Sequence, residues 1–422
     1  MDIIDCLRER GLIEATTSEE LKGVCSKPMK IYIGFDPTAD SLHVGSLMGI
    51  MVLRWFQKCG HTPVVVLGGA TGRIGDPSGK STERPLLDTA TIEENVRGIR
   101  KNFENILDFT DPKTKPEFVN NDEWFAGYAF VDFLRDVGKH FRVNVMLTKE
   151  SVKNRLNSDE GISFTEFSYQ LLQAYDFYHL FEKRGVVLQG GGSDQWGNIT
   201  AGVELVRKLA GKSAYGLTFP LLTRSDGKKF GKTEGGAIWL SDKKTSAYDF
   251  YQYFYRVPDQ DVVKLMRMLT LMEMDEIRMW EKELGEGEPN RAQKRLAEAM
   301  TRLVHGEEGL KLALAATEAA QPGHETVLTV EALRQMMTLL PYVEMGGEEV
   351  VGKKFTEVAL TARLVTSKGE GARLIAQNGA YLNNKRVESA DLKLTEADLI
   401  GGEFALLGSG KKKKVLIHIK KT

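Results

Sequence analysis

Residues 29–47 read MKIYIGFDPTADSLHVGSL, and how this stretch folds decides the architecture of everything up to about residue 245. MKIYIGF is a short apolar run, rich in β-branched and aromatic residues, and it ends beside Gly34. Asp36-Pro37-Thr38 turns the chain. The segment HVGSLMGIMVLRWFQKCG then places apolar residues at helical spacing, so a helix is expected to begin near Ser41, with His43 and Gly45 in its first turn. Working outward, the alternation repeats. PVVVLGGA (63–70), PEFVNN (116–121), GVVLQGGG (185–192) and LTFPLL (217–222) are further strand-like runs closed by Gly, Asn or Pro. Longer amphipathic segments such as DQWGNITAGVELVRKLAG (194–211) separate them. Strand–helix alternation of this kind predicts a Rossmann-like α/β fold with a parallel sheet. Its ligands belong beyond the carboxyl ends of the strands, where the glycines cluster.

A chain of 422 residues implies several domains. At 42% hydrophobic and 27% charged it has a globular composition, and no apolar run approaches the ~18 residues of a membrane span. The opening MDIIDCLRER is acidic and unlike a secretory or transit segment. Cys6, Cys25 and Cys59 form no CxxC pair, and seven scattered histidines offer no zinc spacing, so a cytoplasmic protein without a metal centre is expected. Charge is uneven. Residues 351–422 hold 14 Lys and Arg against 7 Asp and Glu, so this end carries +7 and the rest of the chain −8. That fits one end meeting a polyanion, or equally a solvated Lys-rich tail.

Residues 1–245 are read as the α/β domain. From 246 to 320 strands vanish; Ala292, Leu296, Met300, Leu303 and Val304 trace an amphipathic helical stripe, and the run VVKLMRMLTLMEM (262–274) reads as core. Residues 321–352, with QPGHE and EMGGEE, read as a linker with a short helix. Residues 353–422 form a small basic α+β unit: a helix through VALTARLVTS, a turn at KGEG, a helix at ARLIAQ, then strands AYLNN, LLGSG and VLIHI around Lys411–Lys414.

Three stretches carry chemistry. GGATGRIGDPSGKST (68–82) invites a P-loop reading, but only three residues separate Gly75 from Gly79, Ile74 stands where the first glycine should be, and Pro77 removes a backbone donor. His43 and Gly45 near a helix start suit a triphosphate, although a lone histidine there is commonly a cap or a surface residue. In SDGKKFGKTEGGAIWL (225–240), Lys228, Lys229 and Lys232 surround Phe230-Gly231 and can clamp a polyphosphate; alone, such a cluster is more often a solvated turn.

Taken together and in order, His43-Val44-Gly45-Ser46 and Lys229-Phe230-Gly231-Lys232-Thr233 on an alternating α/β frame resemble the two signature motifs of class I aminoacyl-tRNA synthetases. More narrowly, YIGFDPTADSLHVG, GGATGRIGDPSGKS, SFTEFSYQLLQAYDF, GGSDQWGN and KFGKT resemble the bacterial-type tyrosyl-tRNA synthetases over nearly the whole chain. The resemblance implies activation of L-tyrosine by ATP, with magnesium on the pyrophosphate and no tightly bound cofactor, and then transfer to tRNA. It also implies a homodimer with Phe164 at its interface. Residues 246–320 become an anticodon-region helical domain and 353–422 an RNA-binding domain, with Arg373, Lys385, Arg386 and the run Lys411, Lys412, Lys413 and Lys414 as candidate phosphate contacts.

The specificity pocket can be argued from the residues themselves. Tyr169, Gln173 and Asp176 fall at i, i+4 and i+7, one helix face that is too polar for plain core. Asp176 can accept a hydrogen bond from a phenol, and Tyr32 supplies a second hydroxyl partner. Phenylalanine would leave that buried pair unsatisfied. The resemblance adds Asp76, Tyr169 and Gln173 on the α-ammonium, Gln195 on the carboxylate and Asn121 near the tyrosine. It puts Gly34, Asp36, Thr38, His43, Gly45, Gly192 and Asp194 on ATP, and Lys80, Arg84, Lys229, Lys232 and Thr233 on the pyrophosphate. Many relatives close the first motif with His or Asn where this chain has Ser46. Two competing readings are a tryptophan-specific cousin, which lacks such a phenol pair, and an RNA-binding protein with a decayed centre, which would not keep these polar residues.

Overall fold

In the computed structural model, which describes residues 2–79, 82, 86–157, 161–227, 229–233, 236–284, 289–319, 328–337, 341–410 and 413–420, MKIYIGF forms the central strand of a sheet. Among the described residues that sheet has six strands: β1 (Ala15–Thr16), β2 (Lys30–Phe35), β3 (Thr62–Leu67), β4 (Glu117–Asn120), β5 (Val186–Gly192) and β6 (Tyr215–Phe219). Their order is β1-β6-β5-β2-β3-β4. β2 to β6 pair in parallel, and the short β1 closes the β6 edge antiparallel. Val64, Val65 and Val66 of β3 are buried, the continuous apolar run expected of a strand covered on both faces. The chain steps outward from β2 through β3 to β4 and then returns to lay β5 on the other side of β2. This reversal opens a crevice at the carboxyl ends of β2 and β5.

The helix after β2 starts later than its sequence suggests. Val44–Ser46 form a 3-10 turn and the α-helix runs Leu47–Lys58, while His43 stays extended at φ −115°, ψ 171°. The cause is a backbone clip. Val44 N–H donates to Ile238 O at 2.9 Å and Leu240 N–H donates to Leu42 O at 2.8 Å, so His43 is held extended in an isolated bridge with Trp239. A helix Phe164–Arg184 begins at Ser163, whose side chain accepts from Glu166 N–H, and carries Tyr169, Gln173 and Asp176. A helix Trp196–Ala210 follows β5 directly. Beyond β6, Lys232–Thr233 (β7) pairs with Gly236–Ala237 (β8) in a small hairpin.

The chain divides into two compact units, one of Met1–Lys244 with Val257–Leu296, the other of Thr245–Arg256 with Ala297–Thr422. Helices Asp259–Leu269 and Met274–Glu283, which the sequence groups with 246–320, fall in the first unit. Polar ties explain it. Asp261 accepts from Ser225 N–H at 2.9 Å, Lys264 Nζ donates to Thr223 O at 3.0 Å, and buried Arg10 donates to Met272 O at 2.6 Å.

The helical run Arg291–Ala319, which belongs to the second unit from Ala297 onward, is broken at Gly306. The sheet of that unit contains β9 (Tyr342–Met345), β10 (Ala380–Leu382), β11 (Lys385–Arg386), β12 (Phe404–Ser409) and β13 (Lys413–Ile419), in the order β11-β10-β12-β13-β9. Thus part of the stretch read as linker is a strand, paired in parallel with β13. KGEG, read as a turn, is the first turn of helix Lys368–Ala376, because Ser367 accepts from Glu370 N–H at 3.1 Å. Phe355, Val358, Leu364, Ala380, Leu407 and Ile417 form its core. Among the described residues no helix is long and apolar enough to cross a membrane.

Candidate active site

The crevice at the switch point is a cavity of about 410 Å³, walled by Tyr32–Phe35 of β2 and Gly190–Gly192 of β5. At its floor Tyr32 is only 1% exposed, its ring tilted against Phe177 at 5.4 Å. Its hydroxyl has no hydrogen-bond partner among the described residues. Asp176 also lines the floor; its Oδ1 accepts from Trp124 Nε1 at 2.8 Å and its Oδ2 from Asn121 Nδ2 at 3.2 Å. Burial pushes the Asp176 carboxyl up to about 8 and outweighs both hydrogen bonds, which pull the other way; the charge of Asp36 adds to the rise. Burial, and then the Asp176 charge, push the Tyr32 phenol well above its ordinary range. A buried hydroxyl without a partner, beside a buried carboxyl, asks for a ligand that brings its own hydroxyl.

From Asp176 a polar chain runs up one wall. Fully buried Asn121 accepts from Ala70 N–H at 2.8 Å and donates to Thr71 Oγ1 at 2.9 Å. Thr71 donates to Asp36 Oδ1 and Tyr169 donates to Asp36 Oδ2, each at 2.8 Å. Gly68 is required here, since a Cβ would stand 2.1 Å from Asp36 Oδ1. Asp76, only 7% exposed, forms the next cluster. Its Oδ2 accepts from Gln195 Nε2 at 2.6 Å and its Oδ1 from Ser78 N–H at 3.0 Å. Gln173 Oε1 accepts from Asn198 Nδ2 at 3.0 Å. Buried carboxylate and carbonyl oxygens gathered this way suit an ammonium group.

At the open end lie Gly34, Thr38, His43, Gly45, Ser46, Gly192 and Asp194. His43 Nδ1 accepts from Gly45 N–H at 3.0 Å, and its ring meets the edge of Trp239 at 6.2 Å. The clip that delays the helix also brings the second motif to the first. Ile238 N–H donates to Gly231 O at 2.9 Å, and a Cβ on Gly231 would lie 3.2 Å from Val44 Cβ and 3.3 Å from Gly45 N. With φ at +85°, only glycine takes this position without strain.

The structure therefore gathers Tyr32, Gly34, Asp36, Thr38, His43, Gly45, Asp76, Asn121, Tyr169, Gln173, Asp176, Gly192, Asp194 and Gln195 around one cavity. Lys229 and Lys232 are exposed and do not line it, and Thr233 lies in β7 opposite Gly236. Lys80, Arg84, Lys228, Lys411 and Lys412 lie outside the described residues. Arg373, Lys385 and Arg386 are exposed on the second unit. Lys414, grouped with the phosphate contacts in the sequence, is instead 5% exposed; its Nζ donates to Asn384 Oδ1 at 2.6 Å, and burial pushes it down to about 8. Three residues were not anticipated: Thr71, Trp124 and Asn198. Each sits within or just after a motif already singled out, but a role that works through other side chains leaves no spacing signal.

A parallel sheet with its crevice at the switch point and two signature motifs clipped together across it defines a class I aminoacyl-tRNA synthetase. Residues 25–320 match the model of class I tRNA synthetases (W and Y), and residues 332–417 match the tyrosine–tRNA ligase SYY-like C-terminal domain. The tyrosine–tRNA ligase of Protochlamydia amoebophila is 54% identical over 99% of each chain. The chloroplastic/mitochondrial tyrosine–tRNA ligase of Arabidopsis thaliana is 49% identical over 99% of this chain and 84% of that one. Among solved structures, a C-terminally truncated mitochondrial tyrosyl-tRNA synthetase of Aspergillus nidulans aligns with TM-score 0.68 at 32% identity, over 75% of this chain and 93% of that one. The chain belongs to the tyrosine–tRNA ligase family.

Proposed function

We infer that the chain is a tyrosine–tRNA ligase that activates L-tyrosine with ATP, releases pyrophosphate and passes the tyrosyl group to its tRNA. The observation that carries the choice of amino acid is the unpartnered, buried hydroxyl of Tyr32 in the same cavity as Asp176. A tyrosine phenol satisfies both groups, whereas phenylalanine leaves two buried polar groups bare.

In this reading Tyr32 and Asp176 bind the phenol, with Asn121 and Trp124 holding the carboxyl. Asp76, Tyr169 and Gln173 take the ammonium and Gln195 the carboxylate. Asp36 accepts from Thr71 and from Tyr169, so it orients the Tyr169 hydroxyl beside the ammonium while lying on the ATP side of the site. The substrate carboxylate attacks the α-phosphorus in line, and no protein nucleophile is needed. Catalysis comes from positioning and from stabilising charge on the departing pyrophosphate. Thr38, His43, Lys80, Arg84, Lys229, Lys232 and Thr233 supply that stabilisation; Gly34, Gly45, Gly192 and Asp194 seat the nucleotide. Magnesium enters with ATP as part of the substrate. Lys229 and Lys232 are exposed and lie outside the cavity lining, so in this reading their long side chains meet the pyrophosphate beyond it.

Partners follow from two surfaces. Phe130, Val131, Val143, Val145 and Phe164 are each more than half exposed in the first unit, too much apolar surface for a monomer, and a homodimer covers it. The helices of the second unit and the basic residues 353–422 serve tRNA. Free Cys6, Cys25 and Cys59 fit a reducing cytoplasm.

Amino-acid-dependent ATP–pyrophosphate exchange tests the reading. Exchange with tyrosine, absent with phenylalanine and tryptophan and collapsing in Asp176→Ala, is expected. Exchange with tryptophan would move the chain to the other branch of its class, and no exchange with any of the three would remove the activity.

A further inference from the structure

Asn198 is 5% exposed and lies outside the cavity lining, yet its side-chain nitrogen meets four oxygens of the substrate site. Gln173 Oε1 stands at 3.0 Å, Gln195 Oε1 at 3.3 Å, and Asp76 Oδ1 and Ser78 Oγ at 3.4 Å. These belong to three separate elements: helix Phe164–Arg184, the junction Ser193–Gln195 and the loop around Asp76. Asn198 reaches them all because it sits in the first turn of helix Trp196–Ala210, one turn on from Gln195.

Oxygens that face one another repel unless a donor stands between them. An amide nitrogen has two hydrogens and no acceptor capacity, so it can only draw these oxygens inward. The rest of the network fixes the sense of each amide. Gln195 Nε2 is committed to Asp76 Oδ2 at 2.6 Å, so Gln195 Oε1 must face Asn198. A carbonyl oxygen accepts two hydrogen bonds, which leaves the second lone pair of Gln173 Oε1 for a ligand. Without Asn198 no hydrogen bond among the described residues opposes a flip of the Gln173 amide, and a flipped amide would present a donor to an incoming ammonium.

We propose that Asn198 is a positioning residue for the substrate α-ammonium: its carboxamide N–H groups hold Gln173 and Asp76 converged as acceptors while Asn198 itself touches no substrate. The proposal rests on the tyrosine–tRNA ligase reading above.

The test is Asn198→Ala in the full-length protein, read by pyrophosphate exchange with inhibition by two tyrosine analogues. Tyramine keeps the ammonium and lacks the carboxylate; 3-(4-hydroxyphenyl)propionate keeps the carboxylate and lacks the ammonium. The expected result is a tyrosine KM raised about tenfold with kcat and ATP KM within about twofold, the scale of one or two lost buried hydrogen bonds. Tyramine inhibition weakens in parallel, and inhibition by the propionate shifts by less than about twofold. Equal losses on both analogues, a loss confined to ATP KM or kcat, or no change at all would overturn the proposal. Should the Ala variant fail to fold, Asn198→Ser, which retains one donor, carries the test; it is expected to show the same ammonium-selective loss at smaller size, and a non-selective or absent loss overturns the proposal. Wild-type protein without tyrosine-dependent exchange would instead bring down the ligase reading itself.

Discussion

Trp124 Nε1 donates to Asp176 Oδ1 at 2.8 Å, so one oxygen of the specificity carboxyl is committed to the protein before any ligand arrives. Asn121 holds the other oxygen from the opposite side, and the carboxyl cannot rotate. Removing the indole donor in Trp124→Phe frees that rotation. Tyrosine KM is expected to rise about five- to tenfold with ATP KM unchanged, the cost of one ordinary hydrogen bond of about 1 kcal/mol. Steady-state exchange kinetics check it, and an ATP KM that rises in step would show that Trp124 acts on the whole cavity instead.

The raised Asp176 carboxyl makes a stability prediction whose sign is opposite to the usual carboxylate case. Its folded value is about 8 against an ordinary 3.8, so over that window the native state holds a proton that the unfolded chain has released. Stability from this group is therefore complete below the ordinary value and is lost as pH rises through about 8. The melting temperature of the unliganded protein is expected to fall more between about pH 6 and about pH 9 than that of Asp176→Asn, which cannot titrate there. Parallel pH profiles for the two proteins would refute the shifted carboxyl.

Much of this site can be read from the chain, and the physical reason is local. Tyr169, Gln173 and Asp176 share a helix face whatever else the protein does, and the strand-then-glycine punctuation of residues 31–34 and 186–192 places the crevice. What could not be read depends on distant pairing. The helix after His43 is delayed by hydrogen bonds to Ile238 and Leu240, which no window around His43 contains. β9 is four residues long and gains strand character only by pairing with β13. Lys414 looks like part of a basic tail until β13 buries it beneath Asn384. Asn198 meets Gln173 and Asp76 from outside the cavity lining, and a single sequence carries no sign of such a second-hand placement.

Gly231 joins the two signature motifs through backbone alone, which makes it a sharper probe than the lysines beside it. Gly231→Ala sets a Cβ against Val44 and the Gly45 nitrogen at a φ of +85°. The strain is worth about 1–2 kcal/mol, so kcat for exchange is expected to fall roughly five- to thirtyfold while tyrosine binding at equilibrium stays unchanged. Fluorescence titration with tyrosine separates the two; weakened tyrosine binding would mean that the clip also shapes the amino-acid pocket.

Phe164 begins the helix that carries the specificity residues, yet it is 67% exposed. Burying such a ring in a subunit interface is worth about 2 kcal/mol, and inserting a charge there costs more. Phe164→Arg is expected to shift the protein toward monomer at micromolar concentration in analytical ultracentrifugation. A wild-type protein that sediments as a monomer would itself refute the homodimer.

Lys385 and Arg386 form an exposed edge strand, β11, whose backbone pairs only with β10 among the described residues. Two adjacent cations on an edge strand also deter strand-to-strand aggregation, so a purely protective role competes with RNA binding. The two roles part in the Lys385→Ala/Arg386→Ala double variant. If these side chains meet tRNA phosphates, KM for tRNA rises about tenfold, and the logarithmic salt dependence of tRNA binding becomes shallower by roughly one to two. Pyrophosphate exchange, which needs no tRNA, keeps its wild-type rate in either case. Unchanged tRNA binding with increased aggregation on heating would leave only the protective role, and tRNA recognition would have to be sought on other residues of the basic unit.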